Sequence, residues 1–193
     1  MGFYSENELK NIGLKIYGNN VLISDKASIY SPHMIEIGDN VRIDDFCLLS
    51  GKIILGSFIH IAAYTAFFGG TAGITVKDFA NFSSRISIYA VNDDYSGETM
   101  TNPMVSVRYK NVEQLPVLIG KHCILGCGCT VLPGVIIGDG ASIGAMSLIK
   151  QSCEPWTIYA GVPCKKIRKR SNKLLQLEES LRKDLKSDRE GIQ

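Results

Sequence analysis

Aliphatic residues recur every six positions along most of this chain, and this repeat restricts the possible folds more than any other feature. A period of six matches neither the 3.6 residues of a helical turn nor the strict alternation of a simple strand. The two longest runs of these anchor residues are Ile37, Ile43, Leu49, Leu55, Ile61 and Phe67, and Ile119, Leu125, Val131, Ile137, Ile143 and Ile149. Shorter runs with the same spacing are Ile23 with Ile29, and Val76 with Phe82 and Ile88.

A six-residue unit suits a short strand followed by a sharp turn. Glycine often follows the anchor, as at Gly38, Gly120 and Gly138, and glycine serves turns that demand unusual backbone angles. Four residues after most anchors stands a small or β-branched side chain, as at Val41 and Ala141. Three such units per coil build a triangular solenoid in which anchors stack into aliphatic columns. An ordinary sandwich is the alternative, but it does not explain six consecutive anchors with the small residue in phase.

This pattern resembles the hexapeptide-repeat, left-handed β-helix family over about residues 20–165. The resemblance implies an all-β fold, a left-handed parallel β-helix. Most members of that family are acyltransferases that use acetyl-CoA or another acyl-CoA, and a few are γ-class carbonic anhydrases. Because a fold does not fix a function, a non-catalytic β-helix that serves as an assembly or binding module stays open.

The repeat is interrupted in three places. It slips by two residues within 29–37 and by three within 67–76, and a long polar insertion fills most of 88–119. A solenoid tolerates insertions as external loops, and loops on a rigid scaffold often carry function. We therefore predict a functional external loop at about residues 89–117, although a purely decorative loop is the plainer alternative.

The two ends of the chain predict short helices. Residues 171–193 are expected to form an amphipathic helix and tail, capped by Ser171 or Asn172, that covers an open coil edge or packs on a neighbouring subunit. Residues 5–12 predict a similar, shorter helix. The β-helix domain itself is predicted to span residues 1–170. The leucines at helical spacing in the C-terminal segment are Leu174, Leu177, Leu181 and Leu185.

Three cysteines, Cys123, Cys127 and Cys129, lie close together in "CILGCGC" and raise the question of a metal site. Cys123 and Cys129 stand six residues apart and four after an anchor, so we predict them to be small core residues. Cys127 is out of that phase. The three include no C-x-x-C pair, and the chain offers no second cysteine or histidine pair that would complete a tetrahedral zinc site. The histidines also lack the close spacing that carbonic anhydrases use. We therefore predict no metal, with a metalloenzyme as the minor alternative.

Composition excludes several classes of function. A net charge of +2 is too small to indicate nucleic acid as a partner. The longest uncharged apolar run has 16 residues and is interrupted by glycines, whereas a membrane helix needs about 20. With no apolar signal segment at its start and six cysteines that fit a reducing compartment, the chain is expected to be a soluble, cytoplasmic protein that does not bind membranes.

The segment "IYAGVPCKKIRKR" closely resembles the one that follows the last coil in sugar and galactoside acetyltransferases. In that group the pantetheine arm of CoA lies in a groove between two subunits of a trimer and crosses turns whose residues must be small. The resemblance implies acetyl-CoA as co-substrate and a homotrimer with active sites between subunits. Lys and Arg are common partners of phosphate, although a basic run is also typical of a solvated tail. The implied cofactor-binding residues are Cys127, Ala145, Lys150, Gln151, Lys165 and Arg168.

Residues 60–103 resemble a narrower group, the acyltransferases of nucleotide-linked amino sugars in bacterial surface polysaccharide pathways such as lipopolysaccharide or O-antigen biosynthesis. The series "HIA…DF…SS…DDYSGE…TNP" is similar to that of the dTDP-4-amino-4,6-dideoxyglucose N-acetyltransferases. Similar sequences are also described as galactoside O-acetyltransferases, so an O-acetyltransferase acting on a sugar or glycan hydroxyl is the alternative. The substrate-binding residues that the resemblance implies are Ser84, Tyr95, Ser96, Glu98 and Asn102.

One departure from the family pattern favours an amine as the acceptor. Hexapeptide O-acetyltransferases keep a histidine base just after the coil, whereas no histidine stands between His60 and His122. A hydroxyl needs a strong positioned base, but an amine with a pKa of about 8 is partly neutral at pH 7. We therefore predict direct N-acylation, with Asp93, Asp94 or His60 orienting the amine or taking its proton, and with N–H groups of the turn at residues 126–128 holding the oxyanion. Plainer roles are turn formation for the aspartates and a surface or interface hydrogen bond for His60.

Overall fold

Short strands stack coil upon coil in the structure of the protein, a computed structural model that describes residues 2–190. Most of these strands have two to five residues, and two have eight and eleven. Together they form a parallel β-solenoid of about seven turns that ends in an α-helix. The solenoid predicted from the six-residue repeat is therefore confirmed.

The elements follow one another in this order. The first half contains α1 Glu6–Ile12, β1 Ile16–Tyr17, β2 Val21–Ile23, β3 Ser28–Tyr30, β4 Ile35–Ile37, β5 Val41–Ile43, β6 Leu48–Leu55, β7 Ile59–Ile61, β8 Ala66–Val76, β9 Asn81–Phe82, β10 Ser87–Tyr89 and β11 Val91–Asn92. The second half contains β12 Glu113–Gln114, β13 Val117–Ile119, β14 Ile124–Leu125, β15 Thr130–Val131, β16 Ile136–Ile137, β17 Ser142–Ile143, β18 Leu148–Ile149, β19 Thr157–Ala160, β20 Lys165–Lys169 and α2 Leu174–Glu190. Single 3₁₀ turns lie at Pro32–Met34 and Val107–Tyr109.

The strands form three faces. The first face is the sheet β2-β5-β7-β9-β14-β17-β19, with β20 added antiparallel at its edge. The second face contains β3, β10, β15 and β18 with the first parts of β6 and β8. The third face contains β1, β4, β13 and β16 with the last parts of β6 and β8. Because β6 and β8 run through the corner between them, the second and third faces form one ten-stranded sheet.

The anchor residues stack directly on one another inside this triangle, as the repeat predicts. Each buried aliphatic or aromatic side chain contributes about 1.5–3 kcal/mol, so the columns supply most of the driving force for folding. The column of the first face is Ile23, Ile43, Ile61, Phe82, Leu125, Ile143 and Tyr159. That of the second is Ile29, Leu49, Phe67, Ile88, Val131 and Ile149, and that of the third is Tyr17, Ile37, Leu55, Val76, Ile119 and Ile137.

The prediction that two of the clustered cysteines belong to the core is confirmed. Cys123 and Cys129 are 1% and 0% exposed. Their thiols donate hydrogen bonds of 3.2 Å to the carbonyl oxygens of Gly138 and Gly144 in the next coil. Burial raises the pKa of the Cys123 thiol to about 12, so this group stays protonated and inert.

Each interruption of the repeat corresponds to an outward excursion. The two-residue slip is taken up by the 3₁₀ turn Pro32–Met34. The three-residue slip forms a bulge at residues 69–73 inside β8, where Gly70 has a φ of +54°. The long insertion leaves the solenoid through an antiparallel ribbon in which β11 pairs with β12, so its irregular part spans residues 93–112.

Helices lie at both ends of the solenoid. The predicted N-terminal helix is confirmed as α1, which begins with a reciprocal capping box between Ser5 and Glu8 and buries Leu9 against the first coil. In the described part of the chain, no helix combines the length and apolar character that crossing a membrane requires. The strand β20 between the last coil and α2 was not predicted from the sequence.

The C-terminal helix is confirmed as α2, but its contact with the solenoid differs from the prediction. Leu177 and Leu181 of the leucine stripe are 72% and 39% exposed, whereas Glu178 is 9% exposed. The hydroxyl of Ser171 accepts a hydrogen bond from the N–H of Lys173, in the turn before the helix. Within the single chain, the most buried contact of α2 is therefore charged, although Leu174 and Leu185 are half-buried. Packing of the leucine stripe on a neighbouring subunit stays a prediction.

Glu178 is buried among three partners. One oxygen accepts hydrogen bonds of 2.6 Å from both Lys121 and Arg182, and the other lies 2.7 Å from the ring Nε2 of His122. The ring of His122 in turn stacks on Phe79, with centroids 4.9 Å apart. Burial alone would raise the pKa of Glu178, but these hydrogen bonds outweigh it and lower the pKa to about 2.

We predict that Glu178→Gln destabilises the protein in a pH-dependent way. The ordinary pKa of 4.5 falls to about 2 on folding, so the stabilisation is complete above pH 4.5 and is lost as the pH falls towards 2. The variant should lose about 2–4 kcal/mol of unfolding free energy at pH 7 and much less at pH 3, measured by urea denaturation. Glu179→Gln, at the neighbouring exposed position, is the control and should change little. Equal losses for Glu178→Gln at both pH values would contradict this account.

Candidate active site

Five residues lie one above another at the corner between the first and second faces. They are joined by backbone hydrogen bonds of 2.8–3.1 Å between neighbouring coils: the N–H of the residue after each one donates to the carbonyl of the residue below it. The donor and acceptor pairs are Tyr64 and Asp45, Arg85 and Ala63, Gly128 and Ser84, and Met146 and Cys127. The structure thus places the predicted residues Ser84, Cys127 and Ala145 in one line. We call this line, made of Asp45, Ala63, Ser84, Cys127 and Ala145, the corner column.

The corner column is lined by small side chains and tightly packed backbone. The hydroxyl of Ser84 lies 3.5 Å from the thiol of Cys127, and both side chains are half-buried. A Cβ on Gly126 would meet the backbone nitrogen of Ala145 at 2.5 Å, so only glycine fits there. The corner column therefore presents a line of short side chains, half-buried or exposed, at the surface of the solenoid.

The N–H groups of the turn beside Cys127 are mostly used. The amide of Gly126 donates to the carbonyl of Ile143 at 2.8 Å, and the amide of Gly128 donates to that of Ser84 at 3.1 Å. Both serve coil-to-coil hydrogen bonds, so they do not fit the predicted role of oxyanion donors. Among the three amides of this turn, that of Cys127 makes no such coil-to-coil hydrogen bond within residues 2–190.

The inserted loop is fastened at its base to the bulge in β8. The side-chain oxygen of Gln114 accepts hydrogen bonds from the N–H and the hydroxyl of Thr71, at 2.8 and 2.6 Å. Across the ribbon, Val91 packs over Gly70, where an added Cβ would lie 3.2 Å from that of Val91. The bulge that corresponds to the three-residue slip in the repeat therefore supports the base of the loop.

Asp94 organises the loop from within. One carboxylate oxygen accepts from the N–H and hydroxyl of Ser96, and the other accepts from the N–H and hydroxyl of Thr99, at 2.6–2.9 Å. These donors hold the pKa of Asp94 well below its usual range. These four hydrogen bonds give Asp94 a structural role in the loop, and its predicted part in catalysis stays a prediction.

Other loop residues predicted to bind substrate divide into two kinds. The side chains of Ser96 and Asn102 accept from the backbone N–H groups of Glu98 and Met104, at 3.1 and 3.0 Å, and so stabilise turns within the loop. The side chains of Tyr95 and Glu98 face solvent, and that of Tyr95 is 88% exposed. These two are the ones free to meet a ligand.

A cleft of about 300 Å³ opens between the base of the loop and the second face. Phe68 and Tyr89 stack there with centroids 4.9 Å apart, giving a flat aromatic wall. The exposed Asp93 borders the same space. Sequence reasoning missed the two aromatic residues, although each directly follows a core anchor and must therefore point outward. The full lining is Phe68, Tyr89, Val91, Asn92, Asp93, Tyr95 and Val112.

The corner column and the loop cleft border the same face. Each coil passes from the corner column through a strand of the second face to the corner where the loop emerges. A strand of three residues, such as β10, spans about 10 Å. Two ligands bound at these two edges would therefore lie within reach of each other.

The structure does not bring His60 together with the two aspartates. His60 lies on the outer side of the first face, where its Nε2 is 2.9 Å from a carboxylate oxygen of Asp44. Arg42 donates to the other oxygen at 2.7 Å. Burial tends to raise the pKa of Asp44, but these partners lower it overall. His60 is therefore hydrogen-bonded to a carboxylate on the first face, whereas the loop leaves from the far edge of the second face. Its predicted part in proton transfer stays a prediction.

The predicted basic residues lie on the last coil and on the strand that follows it. Lys150 and Gln151 follow β18 and are exposed, at the edge of the second face opposite the corner column. The amide of Cys164 donates to the carbonyl of Leu148 at 2.8 Å, which brings the start of β20 close to Ala145. Lys165 and Arg168 of β20 are exposed there.

No group of three or more His, Cys, Asp or Glu side chains that could hold a metal ion occurs in residues 2–190. Cys127 is near Ser84 rather than near another ligand. Metal-free chemistry stays a prediction of the sequence.

Comparison with known proteins gives the first external information on function. The model of the bacterial transferase hexapeptide (six repeats) matches residues 116–151. Over 181 residues, 92% of this chain and 94% of the relative, the chain is 50% identical to the dTDP-4-amino-4,6-dideoxy-D-glucose acyltransferase of Escherichia coli.

Solved structures of AntD, an N-acyltransferase from Bacillus cereus, have the same fold. A complex of a serine-to-alanine variant with dTDP-4-amino-4,6-dideoxyglucose and coenzyme A is 51% identical to this chain, with a TM-score of 0.93 over 95% of this chain and 98% of that one. A complex with dTDP and 3-hydroxybutyryl-CoA is 52% identical, with a TM-score of 0.93 and the same coverage.

We predict that Asp94→Asn loosens the loop, whereas Asp93→Asn does not. An asparagine amide cannot accept from both donor pairs, so one pair of hydrogen bonds is lost. Limited proteolysis should cleave residues 93–112 roughly tenfold faster in Asp94→Asn. Asp93→Asn is the matched control, because that carboxylate is exposed at the cleft. Equal cleavage rates in the two variants would rule out Asp94 as the loop organiser.

Proposed function

The chain belongs to the hexapeptide-repeat acyltransferases, and we propose that it transfers an acyl group from an acyl-CoA to the amino group of dTDP-4-amino-4,6-dideoxyglucose. One structural observation carries the proposal. The corner column, which suits the narrow pantetheine arm, and the loop cleft, which suits a nucleotide sugar, lie at opposite edges of one face. Similarity over almost the full length to a relative with this activity supports the assignment.

The structure around the cleft fits an amine better than a hydroxyl as the acceptor. Asp94 is held ionised by its loop partners, and His60 is paired with Asp44 across the corner. A sugar amine with a pKa of about 8 needs only to lose one proton before it attacks the thioester. We assign to Asp93 the role of orienting the ammonium and accepting that proton, because its carboxylate is exposed at the cleft.

Transfer is direct in this proposal. The neutral amine attacks the thioester carbonyl, and the tetrahedral oxyanion receives a hydrogen bond from the amide of Cys127. As the C–S bond breaks, the leaving CoA sulfur takes up the proton that the attacking nitrogen gives up, so that the amide and free CoA are formed. The solenoid contributes chiefly by holding donor and acceptor together, because orientation alone supplies a large part of such a rate enhancement. The aromatic wall of Phe68 and Tyr89 offers a stacking surface for a base or sugar ring.

We infer acetyl-CoA as the donor, with Cys127 and Ala145 along the pantetheine arm. Lys150, Gln151, Lys165 and Arg168 are the proposed contacts to the phosphate end, since all four are exposed on the last coil or on β20. The acyl group is the less constrained part of this proposal. AntD has been crystallised with 3-hydroxybutyryl-CoA, so a close relative accommodates a longer acyl chain.

A homotrimer and a cytoplasmic location complete the proposal. Loop residues Tyr95, Met104 and Val107 are 88%, 92% and 82% exposed in the single chain, which fits a loop that contacts a neighbouring subunit. Both substrates carry several phosphate charges and do not cross a membrane unaided, so the enzyme is expected in the compartment where they are made.

The first test is a thiol-release assay with acetyl-CoA and matched acceptors. We expect turnover with dTDP-4-amino-4,6-dideoxyglucose, and at least about a hundredfold lower kcat/KM with the 4-hydroxy sugar of otherwise identical structure. 3-Hydroxybutyryl-CoA as the alternative donor tests the acyl group separately. Faster transfer to the hydroxy sugar would favour the O-acetyltransferase alternative, and no CoA binding in calorimetry would favour a non-catalytic module.

The second test asks whether Cys127 provides space or chemistry. Cys127→Ala keeps the corner column open and should leave kcat/KM for acetyl-CoA within about threefold of wild type. Cys127→Phe places a bulky ring between Ser84 and Ala145 and should lower kcat/KM for acetyl-CoA by at least about a hundredfold. Its thermal stability should be unchanged, because the position is only half-buried. Loss of activity in Cys127→Ala would show instead that the thiol itself reacts.

A further inference from the structure

The strand that carries two of the proposed phosphate contacts is weakly supported. β20 is the outermost strand of the first face and pairs only with β19. All five of its residues, Lys165–Lys169, are exposed, so apolar burial contributes little to holding it. One of its cations, Lys166, is occupied by Glu154 at 2.7 Å. Lys165 and Arg168 therefore depend on other contacts for a fixed position.

The first of these contacts lies before the strand. The amide of Cys164 donates to the carbonyl of Leu148 at 2.8 Å, and the amide of Gly161 donates to the hydroxyl of Ser147 at 3.0 Å. The residue next to Lys165 is thereby fixed to the last coil, close to the end of the corner column.

The second contact is Arg170, directly after the strand. Its side chain turns inward, and one guanidinium nitrogen, Nη1, donates to the carbonyl oxygens of His122, Gly140 and Ala141 at 2.8, 3.0 and 3.4 Å. Its backbone N–H donates to the carbonyl of Trp156 at 2.8 Å. Arg170 therefore differs from the exposed cations of the same basic run: its side chain binds backbone carbonyls and joins the end of β20 to two earlier coils.

We propose that Arg170 is a positioning residue for acyl-CoA, acting through Lys165 and Arg168. This inference rests on the proposed function. Without the Arg170 side chain, the C-terminal end of β20 loses its link to the coils of His122 and Gly140 but keeps its pairing with β19 and its backbone bond to Trp156. The charges of Lys165 and Arg168 remain, so general attraction to phosphate persists, but the strand that carries them is held less rigidly and the entropic cost of binding rises.

Arginine suits this task because of its shape. The guanidinium is planar, permanently charged and able to donate several hydrogen bonds in fixed directions, whereas lysine presents a compact point charge. Arg170→Lys keeps the charge but is expected to reach only part of the carbonyl cluster. This variant separates loss of charge from loss of geometry.

The experiment compares steady-state kinetics and CoA calorimetry for Arg170→Ala, Arg170→Lys and wild type. In Arg170→Ala, KM for acetyl-CoA and the Kd for CoA should rise about tenfold, with kcat and KM for the nucleotide sugar within about twofold. Arg170→Lys should give a smaller rise, about threefold. An unchanged KM for acetyl-CoA in Arg170→Ala would overturn the proposal.

A stability control separates positioning from general destabilisation. Val41 is 1% exposed in β5, near the other end of the solenoid, so Val41→Ala destabilises the fold without touching β20. It should lower the thermal midpoint while leaving KM for acetyl-CoA unchanged. A similar rise in KM in Val41→Ala would show that any loss of stability has this effect, which also overturns the proposal.

A double-mutant cycle tests whether Arg170 acts through the two exposed cations. Replacing Lys165 and Arg168 by alanine should raise the Kd for CoA strongly in the wild-type background. In the Arg170→Ala background the same replacement should raise the Kd by a factor at least about threefold smaller. Purely additive effects would mean that Arg170 acts independently of them, against the proposal. If wild-type protein itself shows no CoA binding, the proposed function fails, whereas binding by wild type with additive variants rejects only the role of Arg170.

Discussion

The coil-to-coil register of the solenoid is the constraint on which the rest of the structure depends. Each backbone turn bonds to the coils beside it, so an anchor in one coil must lie directly over the anchor in the next. Gly126 shows how little room this leaves, since an added Cβ would meet the backbone of Ala145 at 2.5 Å. Extra residues can therefore be accommodated only as bulges or loops that project outward from the corners. The candidate site lies at two of these corners.

The candidate site combines a regular corner and one such departure, at the two edges of one rigid face. The corner column is regular and offers small residues in a line, whereas the loop is irregular and is stabilised by its own hydrogen bonds. Asp94 and Gln114 have complementary roles, since Asp94 orders the loop internally and Gln114 fastens it to Thr71 on the bulge. Rigid support of both ligands matters more here than a strong base, because the proposed nucleophile is an amine that is already partly neutral at pH 7.

The repeat made the core predictable, but not the contacts between distant segments. A period of six determines which side chain faces inward, so the three columns and the burial of Cys123 and Cys129 follow from the sequence alone. The buried Glu178, the inward turn of Arg170 and the aromatic wall depend on which segments meet after coiling, and no local pattern records that. The loop residues were singled out through resemblance, but only their hydrogen bonds distinguish Asp94, which orders the loop, from Asp93, which borders the cleft.

The nature of the new bond in the product tests the central claim most directly. The enzyme would be incubated with acetyl-CoA and dTDP-4-amino-4,6-dideoxyglucose, and the purified product would be analysed by mass spectrometry and two-dimensional NMR before and after mild alkali. An acetyl group on the sugar nitrogen, with an amide proton coupled to the sugar ring and resistance to alkali, is the predicted result. An acetyl group on a hydroxyl that alkali removes, or an unmodified sugar after CoA release, would contradict the account.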